Sequence, residues 1–328
     1  MKKVRRQSDL DRASPKLPFI NAAEGRLHQK KQTQMQQKQT IETFLLNARR
    51  ALLEGKFDAA YATGTELLRT AVEIHGMNST ELIPSYLILG AACMGLSRIP
   101  QAEKYLSQAQ WLLLKNPSCD NSVKCRVFRQ LGLLYTAQRK FEKARHSLAE
   151  DIYHSSMTYG CSSVDVAAGY YHLGNVFFQE DRAEVGNSLH DHVLKVWKEF
   201  FQASRSTSSS PGTKPTKAVV SQSSSQTSIA QSMVTLATDD YSLNVVEQIE
   251  AIQMLQTIRM SREKQTSTGL SPLILIDVYY TLCLLYEFLG NQSLVIEYGE
   301  KARQLNNSQE VPDQQVTENL TLLLNSVS

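Results

Sequence analysis

Apolar and aromatic residues recur with a period of 42 residues through the middle of the chain. In each period an aromatic residue, a leucine–glycine pair and a second large residue lie three or four positions apart, which is the spacing of one face of an α-helix. A small residue comes twelve positions after the glycine. The residues that define the pattern are Tyr86, Leu89, Gly90, Ala102, Phe128, Leu131, Gly132, Tyr135, Ala144, Tyr170, Leu173 and Gly174. The period predicts four helical hairpins that begin near residues 41, 83, 125 and 167.

Short turns with polar and glycine residues separate the two helices of each predicted hairpin. They lie at residues 54–57, 97–100, 138–141 and 180–183. Such residues interrupt helices and favour turns. Gly132 and Ala144 are small, which predicts that the paired helices cross closely at these positions. We therefore expect a leucine at position 132 to push the two helices apart.

The third unit resembles a tetratricopeptide repeat most closely. Phe128, Leu131, Gly132 and Tyr135 are followed by Ala144 and by a bulky residue four positions later, in the order of the tetratricopeptide pattern. The period is longer than the usual repeat of about 34 residues and is similar to the repeats of kinesin light chains. The resemblance implies an all-α fold, a right-handed α-solenoid of tetratricopeptide-type helix hairpins.

Composition and the repeats together divide the chain into four segments. They are 1–21, a disordered basic tail; 22–202, an N-terminal helix and the four units; 203–228, a disordered linker; and 229–328, a C-terminal part of the solenoid. The linker contains ten Ser and four Thr, too few apolar residues to order itself. The C-terminal part is expected to hold a degenerate unit over 232–262, a further unit near 276 and a terminal helix. Ala251, Leu255 and Ile258 are expected on the second helix of the degenerate unit.

Charge and motifs argue against several classes of function. The net charge is only +3, from 35 basic and 32 acidic residues, which gives no reason to expect nucleic-acid binding. The most apolar stretch, 273–289, contains Asp277 and Glu287 and is too short and too charged to span a membrane. Five scattered cysteines favour a reducing, cytoplasmic setting. Phosphate-binding loops, dinucleotide fingerprints and zinc-ligand spacings are absent from the sequence, so we expect neither catalysis nor a cofactor or metal.

A solenoid of helix pairs exposes a concave groove formed mainly by the first helix of each pair. By resemblance to the family, the groove is lined by Leu45, Arg49, Leu87, Met94, Arg126, Arg129, Leu133, Tyr171, Asn175 and Phe178. Apolar residues with three arginines suit a peptide that has apolar anchors and acidic groups. The alternative is that several of these residues only pack against neighbouring repeats. If Arg129 binds a partner, Arg129→Glu should leave folding nearly intact and weaken binding.

The two tryptophans, Trp111 and Trp197, are expected late in second helices of hairpins. Core packing is the ordinary role of such residues. The alternative is an exposed anchor for a partner, since tryptophan is enriched in binding hot spots.

Three runs of sequence carry a narrower resemblance. Residues 78–115, 131–153 and 162–178 are similar to tetratricopeptide-repeat proteins of motile cilia and sperm flagella that also carry a MYND-type zinc finger. The resemblance implies a scaffold or adaptor of the axoneme that supports docking or assembly of inner dynein arms. It implies protein partners, namely tetratricopeptide repeat protein 29 and an axonemal dynein heavy chain. The finger should precede the repeats and needs eight Cys and His ligands, but residues 1–40 contain no Cys and only His28.

Two other functions remain open at this point. One is a cytosolic cargo adaptor of the kinesin-light-chain type, although no heptad-rich coiled coil is evident before residue 41. The other is an enzyme or a zinc-dependent regulator, for which stoichiometric zinc in the purified protein would be the sign.

Overall fold

The computed structural model describes residues 18–208, 243–267, 269, 271–309 and 312–327. Among these residues there are only helices and their connections, with no strand. The α-helices are α1 (Pro18–Leu53), α2 (Phe57–His75), α3 (Ile83–Gly95), α4 (Ile99–Lys115), α5 (Asn121–Ala137), α6 (Phe141–Tyr159), α7 (Val164–Gln179), α8 (Ala183–Ser208), α9 (Val245–Ser267), α10 (Ile276–Phe288), α11 (Gln292–Asn307) and α12 (Gln314–Val327). Helices α1 to α8 form four consecutive pairs, and α10 pairs with α11. The fold is an all-α solenoid of tetratricopeptide-type hairpins.

Each hairpin turns through one residue with a left-handed backbone. The φ angle is +73° at Gly55, +59° at Ser97, +56° at Arg139, +58° at Asp181 and +72° at Gly290. The first four of these residues are spaced by the 42-residue period. Only glycine adopts this conformation without a steric cost. The backbone of the turn is therefore repeated more strictly than its sequence.

Small residues bring the paired helices close together, as the sequence predicted for the third unit. A Cβ atom on Gly132 would lie 2.6 Å from Cγ of Leu148 on the facing helix. In the fourth hairpin the equivalent glycine is Gly174, and its Cβ would lie 2.8 Å from Cδ2 of His190. Distances this short leave no room for a side chain at either glycine. The close crossing thus depends on glycine in the first helix of these hairpins.

The helices extend beyond the predicted boundaries at both ends of the four-unit array. Helix α1 begins at Pro18, so residues 18–21 are helical and not part of a disordered tail; proline is well suited to the first helical turn. Helix α8 continues to Ser208, into the segment expected to be a linker. An ion pair of 3.4 Å between Arg205 and Glu287 joins this extension to α10. The other residues of the two predicted disordered segments lie outside the described residues.

Helix α9 does not stand in the stack between the fourth and fifth hairpins. Instead α10 packs directly on α8, where Lys198 Nζ lies 3.1 Å from Asp277 Oδ1 and Gln202 Nε2 donates to the Tyr280 hydroxyl. This arrangement differs from the degenerate unit predicted over 232–262, the first part of which lies outside the described residues. The apolar residues of α9, Ala251, Leu255 and Ile258, are buried in one shared core with residues of α8 and α10.

The C-terminal helix covers the end of the array. Leu320 and Leu323 of α12 are fully buried and join the core formed by α8, α10 and α11. The Asn306 amide donates to the Asp313 carbonyl and to the Thr317 hydroxyl. Helix α12 therefore closes the apolar face that the last hairpin would otherwise expose.

Candidate functional site: the groove and its internal helix

Helix α9 lies across the face formed by the first helices of the hairpins. In its first half, Gln253 Nε2 donates a 2.6 Å hydrogen bond to the Leu53 carbonyl at the end of α1. Near its end, Arg262 forms an ion pair with Asp191 of α8. The hydrogen bond of Gln253 thus joins two residues that are 200 positions apart in the chain. The helix connects the first hairpin to the fourth on the side where a bound peptide was expected.

The acidic residues of α9 face the arginines predicted to bind an acidic peptide. Burial lowers the pKa of Arg49, the nearby Arg126 lowers it further, and Glu250 and Glu247 act in the opposite direction. Burial raises the pKa of Glu250, while Arg129 and Arg49 lower it. Opposite charges therefore lie near one another within the chain, although among the described residues Glu247 and Glu250 form no ion pair with Arg49 or Arg129. On this face of the solenoid, the acidic groups expected from a partner peptide are provided by α9 of the chain itself.

Arg129 has a structural role that the sequence did not reveal. Its Nε lies 2.7 Å from Oδ2 of Asp151, and its Nη2 donates to Oδ1 of Asp151 at 3.2 Å and to the Asp165 carbonyl at 2.8 Å. The Asp151 side chain is 0% exposed and that of Arg129 16%. The prediction that Arg129→Glu leaves folding nearly intact is therefore wrong. The change would place two carboxylates together in the interior, which is strongly unfavourable.

Four other predicted groove residues make packing contacts. Tyr171 stacks on His190 with ring centroids 5.6 Å apart, and Phe178 lies 5.0 Å from the same imidazole. Leu87 and Met94 pack against the core between the first and third hairpins. Leu87 and Met94 thus fit the alternative of packing against neighbouring repeats, whereas Tyr171 and Phe178 pack within their own hairpin. All four remain half-buried, so a partner could reach only part of each side chain.

The remaining predicted groove residues differ in accessibility. Arg126 is exposed, whereas Leu45, Leu133 and Asn175 are half-buried. Arg126 lies close enough to the Tyr159 hydroxyl to lower the pKa of that group, although burial of Tyr159 has the larger, opposite effect. Of the three predicted arginines, only Arg126 therefore presents its guanidinium openly to a partner.

A cavity of about 230 Å³ remains beside α9. Its walls are formed by α5, α7, α8, the first turns of α9 and Leu243, which lies two residues before α9. The lining includes Arg129, Asp165, Trp197, Leu243, Glu247 and Glu250. The sequence could not indicate this cavity, because it depends on where α9 packs.

The two tryptophans have opposite environments. Trp197 is 2% exposed and lies in the core of α8, whereas Trp111 on α4 is 47% exposed with Lys115 Nζ 4.8 Å from the ring centroid. Tyr153, one period later on α6, is 59% exposed. Trp111 and Tyr153 thus place aromatic rings at equivalent positions of consecutive outer helices. Tyr153 was missed as a candidate, although the 42-residue offset from Trp111 would have identified it.

The described residues show little reactive chemistry. No group of three or more His, Cys, Asp or Glu side chains in this part of the chain is arranged to hold a metal ion. Burial raises the pKa of Cys125 to about 11 and that of Cys283 to about 12, so both thiols stay protonated and unreactive at neutral pH. In the same part of the chain, no helix is long and apolar enough to cross a membrane.

No protein-family model matches the chain. A protein assigned as a kinesin light chain of Podosopora anserina, with nearly identical TPR-like repeats, is 12% identical over 82% of this chain and 97% of that one, with a TM-score of 0.42. BtubC of P. vanneervenii is 12% identical over 84% and 95%, with a TM-score of 0.36. PilF of Pseudomonas aeruginosa is 12% identical over 87% and 98%, with a TM-score of 0.36. At this identity and these TM-scores the likeness carries no argument, and the assignment to an all-α solenoid rests on the paired helices of this chain.

Proposed function

We propose that this chain is a non-catalytic scaffold of the axoneme in motile cilia and sperm flagella, where it supports docking or assembly of inner dynein arms. The observation that carries the scaffold role is the array of helical hairpins with Trp111 and Tyr153 exposed at equivalent positions. Large exposed aromatic side chains are typical anchors of protein interfaces.

The ciliary part of the proposal has a separate basis. The runs 78–115, 131–153 and 162–178 resemble zinc finger MYND domain-containing protein 12 in its repeat region. The proposed partners are accordingly tetratricopeptide repeat protein 29 and an axonemal dynein heavy chain. The zinc finger of that protein is not part of the proposal, since residues 1–40 lack its ligands.

The arrangement of α9 supports contact through the outer helices. Arg49 and Arg129, which an acidic peptide would need in the groove, already interact with groups of the chain itself. Trp111 and Tyr153 lie on α4 and α6, the second helices of their hairpins, and are open to solvent. A partner that crosses these two helices would bury both rings without displacing α9.

The experiment is affinity capture of the tagged chain from multiciliated cells, together with its localisation in those cells. We expect recovery of inner-arm dynein components and a signal along the axoneme. The variant Trp111→Ala/Tyr153→Ala should keep the fold, because both rings are exposed, and should lose most of the dynein signal. Met77→Ala is the matched control, since Met77 is equally apolar and is exposed on the loop after α2.

Two outcomes would contradict the proposal. Capture that recovers no axonemal protein would remove the ciliary role. Recovery of kinesin heavy chain instead would favour the cargo-adaptor function, which the 42-residue period also suggests.

A further inference from the structure

The cavity beside α9 has the size of one long side chain. Its volume is about 230 Å³, whereas sites for cofactors and drug-sized molecules usually enclose about 300–1,000 Å³. A single water occupies about 30 Å³ of liquid volume, so the cavity is also far larger than a site for one solvent molecule. Its size therefore suits a group inserted from outside.

The cavity carries an excess of negative charge. Asp165, Glu247 and Glu250 border it, and Arg129 is the only cation among its described lining residues. The Arg129 guanidinium is already paired with Asp151, which does not line the cavity. The cavity is consequently bordered by three carboxylates and by one arginine whose charge is already neutralised by Asp151.

Of the three carboxylates, Glu250 is the least satisfied. Glu247 accepts a hydrogen bond from the Asn244 backbone N–H, and Asp165 accepts one from the Ser163 hydroxyl. Burial raises the pKa of Glu250, Arg129 and Arg49 lower it, and Asp165 and Glu247 raise it further. Among the described residues Glu250 has no hydrogen bond or ion pair. A half-buried carboxylate without a direct donor favours an incoming cation.

A second buried group on the same cavity also lacks a partner. Trp197 borders the cavity and is 2% exposed, and within the described part of the chain its indole N–H has no hydrogen-bond acceptor. Indole N–H groups usually find an acceptor when they are buried. A protein segment offers both missing groups, a basic side chain and backbone carbonyl oxygens, whereas a free amine offers only the cation.

We propose that this cavity receives an arginine or lysine side chain of a protein partner, with the cationic head against Glu250 and the alkyl stem against Trp197 and Met254. The inference rests on the proposed function only in that the partner is a protein. It also reverses the expectation from the sequence, since α9 converts an arginine-lined groove into a site for a basic group.

Trp197 provides a direct reporter for a binding test. The chain contains two tryptophans, so Trp111→Phe leaves Trp197 as the only indole. We would titrate this variant with the peptide acetyl-Gly-Arg-Gly-amide and follow the indole fluorescence. The matched peptide with citrulline in place of arginine keeps the shape and removes the charge. Butylguanidine supplies the guanidinium and its alkyl stem, with one charge and without a peptide backbone.

We expect a saturable change in indole fluorescence with the arginine peptide. The citrulline peptide should bind at least roughly tenfold more weakly, because it lacks one charge-assisted hydrogen bond. In the same background Glu250→Gln should weaken binding of the arginine peptide to a similar extent. Glu199→Gln, an exposed change on α8, should not. Circular dichroism of both variants checks that the helices are intact.

Three results would overturn the proposal. They are equal binding of the citrulline peptide, binding that Glu250→Gln leaves unchanged, and butylguanidine binding as tight as that of the peptide, which would assign the cavity to a free cation. Because the test uses defined peptides and purified protein, it can fail while the ciliary role stands, and the reverse is equally possible.

Discussion

The second and third hairpins have the same fold but differ in the residues at one pair of equivalent positions. The third hairpin has Arg129 and Asp151, an ion pair buried between its helices, where the second has Leu87 and Ala109. The fourth hairpin has an uncharged pair, Tyr171 and Val193, at the same two positions. The fold of the repeat therefore does not require the ion pair. It requires that both members of the pair change together, since one charge alone would remain buried without a partner.

The third and fourth hairpins differ at the helix crossing as well. Leu148 packs on Gly132 in the third, and His190 takes the place of that leucine in the fourth. His190 is 1% exposed, and neither ring nitrogen has a hydrogen-bond partner within the described part of the chain. The fourth hairpin thus tolerates a polar imidazole ring where the third has an aliphatic side chain. The aromatic rings of Tyr171 and Phe178 compensate in part by packing on it.

The largest effect is expected from removal of one member of the ion pair. Asp151→Ala leaves the Arg129 guanidinium buried without its counter-ion, which should lower the free energy of unfolding by about 3–5 kcal/mol. The measurement is urea unfolding followed by circular dichroism. Arg129→Glu should be at least as damaging.

The double variant Arg129→Leu/Asp151→Ala tests the comparison itself. It introduces the pair that the second hairpin has at these positions, and we expect it to recover most of the lost stability. A double variant as unstable as Asp151→Ala would show that the ion pair is indispensable in the third hairpin.

A smaller loss is expected at the helix crossing. Gly132→Leu would place its first side-chain carbon 2.6 Å from Cγ of Leu148, so the helices must separate, at a cost of about 1–3 kcal/mol. Thermal unfolding measures the loss. Ala137→Leu is the control, because Ala137 is an exposed residue of the same helix. Equal melting temperatures for wild type and Gly132→Leu would contradict the close crossing.

The residue spacing of this chain predicted some of its elements but not all of them. The spacing of Phe128, Leu131 and Tyr135 was enough to predict the hairpins, because a buried helical face imposes its period on the sequence. It was not enough to place α9, whose apolar residues Ala251 and Leu255 would fit the second helix of a repeat equally well. Which surface covers them is decided by contacts with α8 and α10, which the local pattern of α9 does not specify.

At the candidate site, the sequence likewise predicted only some of the residues that interact. Three arginines were identified at groove positions, but their partners were not. Asp151 is the visible clue, since a carboxylate occurs there while Ala109 and Val193 stand at the equivalent positions. Glu250 has no such clue, because α9 has no repeat to be compared with.

Acid should destabilise the fourth hairpin more than the third. Burial lowers the pKa of His190 to about 4, with a further contribution from Arg262, and burial likewise lowers the pKa of His172 to about 3. The unfolded chain binds these protons near pH 6.5 while the folded chain does not, so stability is full above pH 6.5 and falls as the pH decreases. For His190 the loss is about 2 kcal/mol between pH 6.5 and pH 5.

His190→Leu isolates that contribution. It restores the residue type found in the second and third hairpins, so stability should rise at pH 5 by about 2 kcal/mol relative to wild type. Urea unfolding at pH 7 and pH 5 provides the measurement. If the difference between the two pH values were the same in both proteins, His190 would not be the group that responds to acid.

The smallest effect concerns the turns, in which the outer hairpins differ from the inner ones. Gly55 and Gly290 adopt the left-handed backbone freely, whereas Arg139 is held at φ +56° at a steric cost of about 1–2 kcal/mol. Arg139→Gly should recover part of that cost, offset by the greater entropy of glycine in the unfolded chain, for a net gain below about 1 kcal/mol. Lys140→Gly is the matched control. Lys140 is exposed and has φ −91°, so there glycine relieves no strain and should destabilise slightly. If both glycines destabilised the protein equally, the left-handed turn would carry no strain, and the inner and outer hairpins would be equivalent in this respect.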